Sequence, residues 1–149
     1  MKARSFRRIL FATDFSPASE RALRAARLLA GKFGAQLRIL HVIDNAPVLS
    51  YYTAVYQARV LEGTRRQQAR KALDKLMSRK LGKGMRARAE VRVGNPAEQI
   101  LKAARAWRAQ LIVLGTHGFG PLARTLLGST ADKVVRRSSV PVLTVRGGT

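Results

Sequence analysis

Near the C-terminus, Gly115-Thr116-His117-Gly118 is followed by nine residues and then by Gly128-Ser129-Thr130. Glycine has no Cβ, so main-chain N–H groups at such positions can approach a ligand closely. The ladder runs from Leu111-Ile112-Val113-Leu114, which reads as a buried strand, to Ala131-Asp132-Lys133-Val134-Val135, which reads as an amphipathic helix start. A helix N-terminus carries free N–H groups and partial positive charge, and both favour anions. The spacing therefore points to a phosphate site. It is not a Walker A loop: no Gly-Lys-[Ser/Thr] follows four spacer residues, and that loop's lysine is missing. Arg124, inside the nine-residue spacer, can meet phosphate charge instead.

The elements that must position this ladder alternate between two periods. Arg8 to Thr13 is a short apolar strand ending at Asp14, and Ser16-Pro17 supplies an N-cap and a proline at the first helical position. The helix that follows places Ala22, Ala26, Leu29, Ala30 and Phe33 on one face, and Gly34 closes it. Leu37 to Ile43 reads as a second strand. A long helical pattern runs from about Thr53 to Leu81, with Ala69, Ala72, Leu73, Leu76 and Met77 sharing a face and Gly63-Thr64 expected to interrupt or bend it. Arg86 to Val93 fits a half-exposed or edge strand, and Asn95 caps a helix that buries Ala97, Ile100, Leu101 and Ala104. Pro141 to Val145 is the last strand.

Five strands separated by four helical segments imply an α/β fold, a mainly parallel sheet with helices on both faces. Residues 1–149 are read as one domain, and no linker or tandem repeat interrupts them. In such sheets ligands sit beyond the carboxyl ends of strands, where strand order reverses. Thr13-Asp14 and Gly115-Thr116 both occupy strand ends, and they share one crevice if their strands are neighbours.

Composition narrows the function classes. There is no cysteine, hence no disulfide framework and no thiolate metal site. No stretch approaches the ~20 apolar residues that span a bilayer, and the apolar run after the basic N-terminus is too short for a signal-peptide core. A cytoplasmic location is the default expectation. Twenty-nine Lys+Arg against eight Asp+Glu give a net charge of +21, a field that attracts nucleotides, nucleic acid or anionic lipid and also serves solubility.

The chain resembles the universal stress protein family, specifically its ATP-binding type. Gly115-x2-Gly118-x9-Gly128-Ser129 has the spacing of that family's nucleotide motif. Ile9 to Ser16 resembles its first strand and acidic residue, Leu40-His41-Val42-Ile43-Asp44 its second strand, and Val140 to Val145 its last. The resemblance covers almost the whole chain and is weak only over Ala46 to Gly63, where Tyr51, Tyr52 and Tyr56 cluster. It implies strand order 3-2-1-4-5 in a doubly wound domain. It also implies an ATP pocket, with Mg²⁺, formed by Ala12, Thr13, Asp14, Val42, Gly115, Gly118, Arg124, Gly128, Ser129 and Thr130. Val42 would present main-chain groups and an apolar wall to adenine, Gly115 and Gly118 would leave room for ribose and phosphates, and Gly128 to Thr130 would supply donors. Phe119 and Pro121 depart from the family, at places commonly basic and often glycine.

Three functions are compatible with these features. The first is an ATP-binding regulatory protein of the stress response, a homodimer through the C-terminal strand, with a surface read by a protein partner. The second is slow Mg-dependent ATP hydrolysis, for which Asp14 has no obvious second carboxylate beside it. The third is non-specific nucleic-acid binding through arginine, with steep salt dependence. Each residue also has a plainer role: Asp14 or Ser129 as a helix cap, His41 as a structural residue, His117 as a solvated side chain.

Overall fold

The computed structural model describes residues 5–45, 54–116 and 127–147, with residues 54–62 described by their backbone alone. The strands are β1 (Arg8–Ala12), β2 (Gln36–Asp44), β3 (Ala87–Gly94), β4 (Leu111–Gly115) and β5 (Val142–Val145). The helices are α1 (Pro17–Phe33), α2 (Ala54–Lys80), α3 (Pro96–Trp107) and α4 (Ser129–Arg137). Among the described residues all strand pairs are parallel, as the α/β alternation predicts, in the order β3-β2-β1-β4-β5 that the family resemblance implies.

Strand alternation divides the core into two layers. Ile9 and Phe11 of β1, with Leu111 and Val113 of β4, pack against Ala22, Ala26 and Ala30 of α1 and Leu73 of α2. Leu10 and Ala12, with Ile112 and Leu114, pack on the opposite face against Ile100, Leu101 and Ala104 of α3 and Val134 of α4. Because both faces of β1 and β4 are covered, their sequences read as unbroken apolar runs rather than alternating ones. Burying side chains such as Phe11 and Ile112, about 1.5–3 kcal/mol each, fixes the two central strands side by side.

Local chemistry sets the helix ends. Ser16 caps α1 by accepting from the Ser19 N–H, and Gly34 closes it in the left-handed conformation at φ 61°. Asn95 caps α3 through the Glu98 N–H at 3.1 Å. Two expectations require correction. Helix α2 runs unbroken through Gly63 and Thr64; one glycine costs only about 1 kcal/mol, and the buried residues Ala69 and Leu73 hold the helix to the sheet. Phe33 is 40% exposed rather than buried and meets Phe6 edge-on, with ring centroids 5.4 Å apart. Among the described residues, no helix is long and apolar enough to cross a membrane.

Candidate functional site

Beyond the carboxyl ends of β1 and β4 lies a cleft of about 370 Å³, within the range of roughly 300–1,000 Å³ typical of small-molecule sites. Ala12, Thr13, Asp14, Val42, Gly115, Gly128, Ser129 and Thr130 all line it. Gly118, Arg124, His117, Phe119 and Pro121 lie outside the described residues, as do Tyr51, Tyr52 and the side chain of Tyr56.

The β1–α1 turn forms one wall. Its residues are locked by a short-range network: Thr13 Oγ1 accepts from the Phe15 N–H at 3.0 Å and pairs with Ser19 Oγ. Phe15 is held at φ 63°, a left-handed conformation that costs a bulky residue about 1–3 kcal/mol. That N–H bond and the contact of the Phe15 ring with His41, 4.6 Å between centroids, oppose this cost. His41 Nδ1 lies 2.8 Å from the Thr13 carbonyl. A carbonyl oxygen can only accept, so Nδ1 carries the proton. Asp14 is exposed, with Oδ1 accepting from the Ser16 N–H at 2.9 Å. Ser16, not Asp14, caps α1.

The second wall is the end of β2. The Thr13 N–H donates to the Leu40 carbonyl at 2.8 Å, the last rung between β1 and β2. Strand alternation turns the N–H and C=O of Val42 to the same side as those of Leu40. There β1 has already ended at Ala12, so the Val42 main chain faces the cleft beside its own side chain.

The third wall is the start of α4. Gly128 occupies the N-cap, its N–H bound to the Thr116 carbonyl at 2.7 Å, and no side chain caps the helix. Ser129 is therefore the first helical residue and not the cap, a correction to the plainer reading of that serine. The N–H groups of Ser129, Thr130 and Ala131 have no carbonyl one turn earlier within the helix, and all three residues line the cleft. Asp132 also sits in this first turn, but it accepts from Arg136 Nε at 2.9 Å one turn further on. That hydrogen bond raises the Arg136 pKa above its ordinary value.

Sequence reasoning missed several lining residues. The most consequential is Asp44, at the end of β2, which puts a second carboxylate in the cleft with Asp14. Its position directly after an apolar strand is the signal that could have found it. Gly115 is needed for packing, since a Cβ there would lie 2.9 Å from the Ala18 carbonyl carbon and 3.0 Å from the Ser19 nitrogen. Glycine at this site therefore lets α1 lie directly on β4. Among the described residues, no group of three or more His, Cys, Asp or Glu side chains could hold a metal by itself.

A doubly wound parallel sheet with its crevice at the β1/β4 strand-order switch defines the class of protein. The chain belongs to the universal stress protein family, whose profile matches residues 5–146. It is 37% identical over 141 residues to a universal stress protein of Thermus aquaticus, covering 95% of this chain and 99% of that one. The solved structure of the Methanocaldococcus jannaschii protein MJ0577 superposes with a TM-score of 0.86 at 27% identity, covering 98% and 99% of the two chains. A universal stress protein solved in complex with cAMP aligns with a TM-score of 0.67 at 26% identity, covering 97% and 100%.

Proposed function

We propose that this protein binds ATP, together with Mg²⁺, in the β1/β4 cleft and serves as a regulatory protein of the stress response. The observation that carries the proposal is the convergence of two main-chain sources on one cleft. The open edge of Val42 suits a base, and the uncapped first turn of α4 suits phosphates. A related protein's complex with cAMP supports an adenine-nucleotide ligand class. Mg²⁺ is usually held by one or two carboxylates together with substrate phosphates, and Asp14 and Asp44 supply that donor set. When bound, the metal would neutralise phosphate charge beside those carboxylates.

The arrangement favours holding the nucleotide over consuming it. Among the described residues, no histidine or further carboxylate lines the cleft as a general base. Calorimetry with ATP, and mass spectrometry of nucleotide released from gently purified protein, test the proposal. Saturable binding is expected; no released nucleotide and no heat of binding would reject it. Phosphate release well above background that Gly128→Trp abolishes would instead make the protein an ATPase.

The edge strand β5 pairs with β4 in the sheet and supports a homodimer through its outer side. A sedimentation measurement at physiological salt that shows only monomer would remove that part of the reading.

A further inference from the structure

We propose that the pole of the sheet where the strands start, opposite the nucleotide cleft, is a docking face for the phosphate backbone of duplex nucleic acid. Parallel strands joined by helices bring every strand start and every helix end to this one pole. Each of the four helices has basic residues in its last turn: Lys32, Arg79 with Lys80, Arg105, and Arg136 with Arg137. Cations near a helix C-terminus offset about half a negative charge per helix. The pole carries far more positive charge than that requires.

Among the described residues, three grooves at this pole are lined by cations and by no carboxylate. Arg27, Lys83 and Arg86 line the first, between the end of α1 and the turn into β3. Arg86 and Arg88 line the second, across the starts of β2 and β3, together with Arg38, whose guanidinium is also paired with Glu90 at 3.4 Å. Arg105, Arg108 and Arg137 line the third, between the ends of α3 and α4. Arg86 is common to the first two grooves. Trp107 in the second is the chain neighbour of Arg108 in the third, so the three form one track. Arg86, Arg88, Arg105, Arg108 and Arg137 are exposed, and none of them forms an ion pair among the described residues. Arg27 adds a buried Nε with no hydrogen-bond partner among the described residues. Most of the described carboxylates lie elsewhere: Asp14 and Asp44 at the cleft, Glu20, Glu98 and Asp132 in first helical turns at that same end. Glu90 in β3 is paired with Arg38 and Arg92, and Asp74 lies in α2.

The chemistry of the track favours a duplex over a single strand. Single-strand binders stack bases on open aromatic faces. Among the described residues, Trp107 is the one aromatic lining these grooves, and the Arg38 guanidinium covers its ring at 4.5 Å from the centroid. The exposed Phe33 at the end of α1 is met edge-on by Phe6. What remains is a row of separated cations suited to phosphates. Five strands spaced ~4.8 Å apart carry that row across about 19 Å, roughly half a turn of duplex.

The test measures binding of a 20-base-pair DNA duplex of arbitrary sequence, across a salt series, by fluorescence anisotropy. One variant removes cations from the track (Arg86→Gln, Arg88→Gln, Arg105→Gln and Arg137→Gln together). A control of equal net charge removes exposed cations elsewhere (Arg21→Gln, Arg24→Gln, Arg65→Gln and Lys102→Gln). The track variant should lose at least tenfold in affinity at about 100 mM salt. Its slope of log affinity against log salt should flatten by about two to four, at about 0.9 per phosphate contact. The control should stay within threefold of the parent. Circular dichroism and unchanged ATP affinity separate a lost docking face from a misfolded chain or a failed nucleotide site. Equal weakening of both variants, or none in the track variant, overturns the proposal. So does tighter binding of the corresponding single strand, or of vesicles rich in anionic lipid, than of the duplex.

Discussion

His41 of β2 and Thr13, the residue that follows β1, are joined by a hydrogen bond from the imidazole Nδ1 to the Thr13 carbonyl at 2.8 Å. The bond fixes the point at which the β1 main chain leaves the sheet. The same imidazole carries the ring of Phe15, so a single side chain secures both the carbonyl and the strained residue of the β1–α1 turn.

Replacing His41 with alanine should therefore do two separable things. Chemical denaturation should show a loss of about 1–3 kcal/mol, from the unpaired carbonyl and the lost ring contact. Nucleotide affinity should fall as well, because the turn bearing Asp14 loosens. Imidazole ¹⁵N spectra of the parent protein should show the proton on Nδ1.

Gly115 and Gly63 should respond in opposite directions to alanine. At Gly115 the new Cβ meets the Ala18 and Ser19 backbone at 2.9 and 3.0 Å, and overpacking of this kind costs about 1–3 kcal/mol. At Gly63, exposed within α2, a Cβ has nothing within 4 Å, and alanine should stabilise by about 0.5–1 kcal/mol. Thermal or urea unfolding of the two variants checks the pair.

Placing aspartate at Gly128 should trade binding for stability. The φ of −59° and ψ of 156° at this residue suit any side chain, and an aspartate there can cap the amides of the first turn of α4. Stability should rise by a few tenths of a kcal/mol. ATP affinity should drop at least tenfold, because the cap occupies the phosphate donors and adds negative charge. An unchanged affinity in calorimetry would place the phosphates elsewhere.

Asn at Asp14 keeps an oxygen for the Ser16 N–H, so stability should move by less than about 0.5 kcal/mol. Its effect on ATP should reverse with the metal. In Mg²⁺ the affinity should fall about tenfold, whereas in EDTA it should rise severalfold as a charge repelling the phosphates is removed. The same direction in both conditions would exclude Asp14 from metal binding.

The strands, the helices and their ends were legible because they rest on strong local signals, whereas the strand order, and with it the β1/β4 pairing that forms the cleft, followed only from the family resemblance. The apolar runs of β1 and β4, the Ser16-Pro17 and Asn95-Pro96 caps and the Gly34 terminator each act within a few residues. What escaped notice depends on distance. The close approach of Ala18 to Gly115 joins residues far apart in the chain, and a glycine reserved for helix packing reads like one reserved for a ligand. The positive φ of Phe15 contradicts its residue type and persists only through Thr13 and His41. Asp44 joins Asp14 because β2 outruns β1 by several residues, a difference in strand length that periodicity alone does not show.

With most of the described carboxylates at the strand ends and three arginine-lined grooves at the strand starts, the molecule carries an electric axis along the sheet. A negatively charged surface exerts a torque on such a body before any contact forms, turning the arginine end inward. If the arginine end docks and the cleft holds nucleotide as proposed, the cleft then points back into solvent, some five strand residues or roughly 16 Å away, open to exchange.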